Sequence, residues 1–295
     1  MIKFTEKLHL MKRILALCIL ACIASGLRAQ SKITTETVPS AALGRDVSVN
    51  VYVPAGFDGS EARYPVLYLL HGLYGTHVDW AESGGLKTVL DELVGTGEAA
   101  RMVVVMPCAG GPDARAIQNG YFNVTGNAYE DFFFKELIPA MEAKFRCGGA
   151  KGRRAIAGLS MGGGGSTVYA QRHPDMFSSC YAMSAWLDNP MQESTDPKVT
   201  ADKMYITMKS VRDHSALDYV DKADAATAEA LRSVKWFIDC GDDDPLLQLS
   251  TELYAKMRQK RIPAELRVRN GAHNWEYWHT ALRLSLPFAT RNFER

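Results

Sequence analysis

The sequence predicts an α/β fold: one mostly parallel central sheet with helices on both faces. Three observations carry this. Short, wholly apolar runs recur along the chain, as expected of strands covered on both sides. Stretches with apolar residues at helical spacing lie between them. No internal repeat or long Pro/Ser linker interrupts the alternation over 295 residues, so a single domain accounts for it. With 47% hydrophobic and 23% charged residues the chain sits at the globular average, which excludes a disordered chain, a collagen-like fibre and a coiled coil.

Residues 1–29 read as an export signal, separate from the domain of residues 30–295. Lys12-Arg13 is followed by the apolar run Ile14–Ala24 and then by small residues ending Leu27-Arg28-Ala29-Gln30. That is the charged, apolar, small-residue order of a secretory leader, with cleavage expected after Ala29 and a periplasmic or secreted destination. The run is far shorter than the roughly 20 apolar residues of a membrane span. Ile19-Leu20-Ala21-Cys22 loosely resembles a bacterial lipoprotein site, a second outcome in which Cys22 anchors the chain. The leader carries Lys3, Lys7, Lys12, Arg13 and Arg28 against Glu6, so the remainder is slightly acidic although the whole chain is at +1. No basic block is left to attract nucleic acid.

The domain opens on Val47, Val49, Val51 and Val53 at period two, with a partner strand around Ile33–Val38, read as an antiparallel pair. Val66–Leu70, Met102–Met106, Arg154–Leu159, Cys180–Ser184 and Trp236–Cys240 supply the buried runs, and Glu265–Val268 a last strand. Leu86, Val89, Leu90, Leu93 and Val94 share one helical face, as do Tyr129, Phe132, Phe133, Leu137, Ile138 and Met141. A helix after Ser160 must stop at Pro174, and the stripe Leu249, Leu253, Met257 is ended by Pro263. Residues 186–223 break the rhythm, with Trp186, Pro190, Pro197, many charges and weak periodicity. A connection of that length predicts a lid or binding loop, or a decorated surface insertion. Cys108, Cys147, Cys180 and Cys240 form no CxxC pair, which leaves a zinc ribbon or redox motif without support; Cys180 and Cys240 read as buried small hydrophobes.

The chemistry starts at Gly158-Leu159-Ser160-Met161-Gly162, a G-x-S-x-G motif between a predicted strand and a predicted helix. In that context the chain turns sharply, the glycines relieve crowding, and the serine hydroxyl projects above the sheet as a nucleophile. Gly162–Gly165 is followed by no Lys-Ser/Thr, which excludes a P-loop. A serine nucleophile needs a base, and the base an orienting acid. His273 follows the last predicted strand, where the base belongs. The other histidines lie in the leader (His9), before Ser160 (His71, His77), at the end of the next helix (His173), in the insertion (His214) or well inside the final helix (His279). The acid is expected after Trp236–Cys240, in Gly241-Asp242-Asp243-Asp244-Pro245, where position alone does not separate three aspartates. At least two of them belong to a solvated acidic turn or a weak Ca²⁺ site. Oxyanion donors are expected from the Met161 N–H at the helix start and the Leu73 N–H in the loop His71-Gly72-Leu73-Tyr74-Gly75.

Together these residues resemble the esterase D-like group of α/β-hydrolases: feruloyl and acetylxylan esterases of carbohydrate esterase family 1, S-formylglutathione hydrolases and the antigen 85 mycolyltransferases. The matching stretches are Tyr64–Gly72, Tyr129–Phe132 through Ile138-Pro139, Arg154–Gly163, Cys240-Gly241 with the acidic run, and Gly271–Trp275. The resemblance spans roughly residues 45–290. It implies the α/β-hydrolase fold, carboxylic-ester hydrolysis without cofactor or metal, and Asp244 as the acid. No carbohydrate-binding module is recognisable, and residues 186–223 match no family pattern. The expected activity is removal of acyl or feruloyl groups from carbohydrate, and export argues against a cytosolic glutathione thioester. Two alternatives share the fold: an acyltransferase of the mycolyltransferase type, and a non-catalytic carbohydrate-binding protein. Aromatic faces suit sugar and hydroxycinnamoyl rings alike, so Trp186, Tyr74 and Trp80 are the expected substrate contacts, while Trp275 and Tyr121 are expected in the core.

Overall fold

The computed structural model describes residues 30–110 and 119–294. The expected leader, including Cys22, lies outside the described residues. Eight strands form the main sheet: β1 (Lys32–Ser40), β2 (Arg45–Val53), β3 (Val66–Leu70), β4 (Val103–Pro107), β5 (Arg154–Leu159), β6 (Ser179–Met183), β7 (Lys235–Gly241) and β8 (Ala264–Arg269). Their order across the sheet is β1-β2-β4-β3-β5-β6-β7-β8. β1 and β2 form the expected antiparallel pair, and β2 also runs antiparallel to β4; every later pairing is parallel.

Alternation of side chains divides the core in two. Val66, Tyr68 and Leu70 of β3 and Val103 and Val105 of β4 face one apolar cluster. Leu67, Leu69, Val104 and Met106 face the other. Both faces are therefore dry, which is why these strands read as unbroken apolar runs. Helix α1 (Leu86–Thr96) covers the second cluster with Leu86, Val89, Leu90 and Leu93.

The predicted helix over 129–141 packs on the first cluster as α2, composed of Tyr129–Asp131, a wide π turn Phe132–Leu137, and Ile138–Lys144. In that turn the Ile138 N–H reaches back five residues to Phe133 O, just ahead of Pro139, which has no N–H to give. Helix α3 (Met161–Arg172) packs on the same side.

The irregular stretch after Trp186 is largely helical. It holds a single turn Pro197–Thr200, then α4 (Lys203–Asp213), α5 (Ala216–Asp221) and, just beyond it, α6 (Ala225–Arg232). Each has an N-cap whose side chain accepts a backbone N–H: Asp196, Asp202, Ser215 and Asp224. Those caps are the local signal that the weak apolar periodicity conceals. Helix α7 (Leu247–Gln259) returns to the first cluster, and α8 (Trp275–Asn292) closes the second. The four cysteines of the domain are all buried and unbridged. Burial pushes the Cys147 and Cys240 thiols up to about 12, so neither is poised as a nucleophile.

Candidate active site

The carboxyl ends of β3, β5, β6, β7 and β8 lie along one edge of the sheet, where ligands of open α/β folds bind. Ser160 stands between β5 and α3 with φ 53° and ψ −118°, a left-handed backbone that costs a non-glycine residue of order 1–3 kcal/mol. The neighbours hold it there. The Ser160 N–H donates to Met183 O at 2.9 Å, and Ser160 O accepts from Gly164 N at 3.0 Å and Trp186 N at 2.9 Å. The flanking glycines make the turn possible: a methyl group on Gly158 would lie 2.4 Å from Gly162 O, and one on Gly162 would lie 2.5 Å from His71 O.

His273 is carried by the short loop between β8 and α8. The Asn274 side chain accepts the Tyr277 N–H and so starts α8 immediately after it. The imidazole lies between two partners, with Nε2 at 3.0 Å from Ser160 Oγ and Nδ1 at 2.9 Å from Asp244 Oδ2. A buried carboxylate can only accept, so the proton sits on Nδ1 and Nε2 is left to accept from the serine hydroxyl.

The turn after β7 separates the three aspartates. Asp242 and Asp243 are exposed, whereas the Asp244 side chain is fully buried. Burial alone raises a carboxyl, but hydrogen bonds from His273, Ser184 and the Leu246 N–H outweigh it and hold Asp244 below the ordinary carboxylate value. Asp242 serves the loop instead, since its Oδ1 accepts the Gly271 N–H at 2.9 Å and ties this turn to the segment that bears His273. The three carboxylates do not converge as a Ca²⁺ site would require, and among the described residues no group of His, Cys, Asp and Glu is arranged to hold a metal ion.

The loop after β3 is fixed from below. Trp80 Nε1 donates to Leu70 O at 3.0 Å, and the Tyr121 hydroxyl donates to His71 O at 2.8 Å. His71 is itself buried; its Nδ1–H donates to Gly72 O at 2.7 Å and its Nε2 accepts the Ala109 N–H at 2.9 Å. Burial lowers its affinity for a proton, so it stays neutral and keeps both bonds. Sequence reasoning assigned His71 only a place in the loop; its position immediately before Gly72 was the available signal. Leu73 and Tyr74 then line a cleft of about 430 Å³ together with Ser160, His273 and Trp275. Met161 occupies the first position of α3, and among the described residues neither its N–H nor that of Leu73 has a backbone acceptor outside its own helix or strand.

The aromatic residues distribute differently from the expectation. Tyr74 is 51% exposed and lines the cleft. Trp80 is 1% exposed, and its ring packs edge-on against Trp275 at 5.4 Å; it supports the loop from inside and presents no surface to a ligand. Trp275, expected in the core, is partly buried against the second apolar cluster and also lines the cleft, while Tyr121 is buried as expected. Trp186 is partly buried against the first cluster, beside the Ser160 turn through its backbone N–H.

A sheet of this order, with a strained serine at the end of a central parallel strand and a histidine and aspartate brought to it from later loops, defines an α/β-hydrolase. Within that class, the family model for Esterase ("Putative esterase") matches residues 40–289, and the chain belongs to that family. It is 48% identical to a solved ferulic acid esterase, with a TM-score of 0.85 over 90% of this chain and 100% of that one. It is also 34% identical over 163 residues to an endo-1,4-beta-xylanase/feruloyl esterase of Xylanibacter ruminicola; the match takes in 54% of this chain but only 22% of that longer protein. An S-formylglutathione hydrolase from Agrobacterium tumefaciens, 20% identical with a TM-score of 0.67 over 90% of this chain and 95% of its own, shares the fold.

Proposed function

We propose that this chain is an exported serine carboxylic-ester hydrolase that removes feruloyl or related acyl groups from carbohydrate. The observation that carries the chemistry is the continuous line of hydrogen bonds from Asp244 through His273 to Ser160. In this reading His273 Nε2 takes the Ser160 proton as Oγ attacks the ester carbonyl, and the Asp244 carboxylate stabilises the imidazolium that forms. The N–H groups of Leu73 and Met161 face the carbonyl oxygen as it becomes an oxyanion, the second with the added field of the α3 N-terminus. His273 then returns the proton to the departing alcohol, and water releases the acyl group by the same steps in reverse order.

The carbohydrate side of the proposal is supported by the likeness to a ferulic acid esterase across nearly the whole chain. Tyr74, Trp275 and Trp186 are the aromatic faces assigned to the acyl ring or sugar. Wild-type protein and Ser160→Ala would be compared on methyl ferulate, feruloylated xylan and p-nitrophenyl acetate. Ferulate release by the wild type and its disappearance in the variant are expected; equal rates for the two proteins would overturn the nucleophile. Export predicts that the mature protein begins at Gln30 or, if lipidated, at Cys22. Mass spectrometry of exported protein that still carries residues 11–29 would refute both.

A further inference from the structure

Ser184, the residue after β6, is a second strained serine beside Ser160. Its φ is 45°, in the left-handed region where glycine is at ease and serine is not, and it is wholly buried. A buried serine at such a position needs a reason that glycine would not satisfy. Its surroundings supply one. Residues Leu159, Met183 and Asp239 are register partners across β5, β6 and β7, so Ser160 and Ser184 follow side by side where β5 and β6 end, next to Cys240 within β7. The Ser184 N–H donates to Asp239 O at 2.8 Å, which locks the backbone. Its hydroxyl accepts from Trp278 Nε1 at 3.1 Å. The ring of Trp278 in turn meets the His273 imidazole edge-on, with centroids 4.9 Å apart.

We infer that Ser184 and Trp278 are positioning residues for the base: the Ser184 hydroxyl holds the indole N–H, and the indole so held sets the plane of the His273 imidazole between Asp244 and Ser160. The contacts of the base continue inward, from His273 through the Trp278 ring to the Ser184 hydroxyl. This inference rests on the reading of Ser160, His273 and Asp244 as the reacting set.

The test is Ser184→Gly, which keeps the left-handed backbone, relieves its strain and removes the hydroxymethyl group. If backbone geometry were the whole role of Ser184, the variant would be as active as wild type and at least as stable. If the hydroxyl holds the indole against His273, kcat falls about fivefold with KM within twofold, the size of one lost hydrogen bond, and Ser184→Ala, which keeps the Cβ and loses only the hydroxyl, lowers kcat alike. Trp278→Phe, which keeps the edge-on ring but lacks the N–H, moves kcat in the same direction with KM unchanged. A Ser184→Gly kcat within twofold of wild type, or a loss confined to KM, overturns the inference. Ser160→Ala, run beside it, separates the two readings. Full activity there brings down the catalytic reading itself, whereas an inert Ser160→Ala with a fully active Ser184→Gly brings down only the role of Ser184.

Discussion

Replacing Asp244 by asparagine changes one oxygen to an NH₂ group, and the structure determines where that group must point. Asp244 Oδ1 accepts the Leu246 N–H at 2.8 Å, while Oδ2 accepts from His273 Nδ1 at 2.9 Å. An asparagine has a single acceptor oxygen. With that oxygen kept on Leu246, the amide donates to Nδ1, the imidazole proton is forced to Nε2, and the ring cannot accept from Ser160. Turning the amide round restores the tautomer but sets two donors against each other at Leu246, at about 1–3 kcal/mol. Even then a neutral amide replaces a carboxylate opposite the imidazolium, losing a further 1.5–3 kcal/mol or so, as for a hydrogen bond to a charged group. Together these come to about 2.5–6 kcal/mol of transition-state stabilisation, a fall in kcat of roughly 10² to 10⁴; the upper end is what replacement of the aspartate costs a serine protease triad. The assay is steady-state hydrolysis of p-nitrophenyl acetate and methyl ferulate, with Asp243→Asn as the comparison because Asp243 is exposed. An Asp244→Asn enzyme with more than a tenth of wild-type kcat, or an equally damaged Asp243→Asn, would refute the reasoning.

Gly162→Ala places a methyl group 2.5 Å from His71 O and 2.6 Å from Leu70 O, both backbone atoms, so α3 must back away from β3. A loss of about 1–3 kcal/mol, a melting temperature lower by several degrees and a collapse of kcat are expected. His71 is held neutral by burial, so the unfolded chain takes up its proton first. Its contribution to stability is present above pH about 6.5 and is lost as the pH falls from there towards the depressed native value. His71→Gln should therefore show a shallower dependence of melting temperature on pH between about 5 and 7, and parallel curves would contradict this. Trp186→Ala leaves its backbone N–H on Ser160 O and is expected to raise KM several-fold for a feruloyl ester with acetate-ester hydrolysis nearly unchanged. An equal loss on both substrates would mean that Trp186 supports the fold and does not read the substrate.

The strands and the Ser160 turn were legible from local pattern. A strand buried on both faces must be apolar at every position, as in Val66–Leu70, and a sharp strand-to-helix turn must flank its serine with glycines, as at Gly158 and Gly162. The placement of His273 beside Ser160 followed from chain order, because in this fold a histidine is brought there by the loop after the last strand. The helices after Trp186 were not found, because their stability comes from caps such as Asp202 and Ser215 and from packing on the first apolar cluster more than from a clean apolar stripe. Nor could pattern distinguish Asp244 from its neighbours without the family likeness. That choice depends on which way three successive carboxylates point in a tight turn, and the turn is set by Gly241 lying against Gly271 from the loop after the next strand, where a methyl group would meet Gly271 O. Trp80 lies in the core and not in the cleft, and Trp275 lines the cleft while packing on the second cluster, for the same kind of reason. The two rings touch, and which faces the cleft is decided by the bond from Trp80 Nε1 to Leu70 O, a contact between segments that only the assembled sheet brings together.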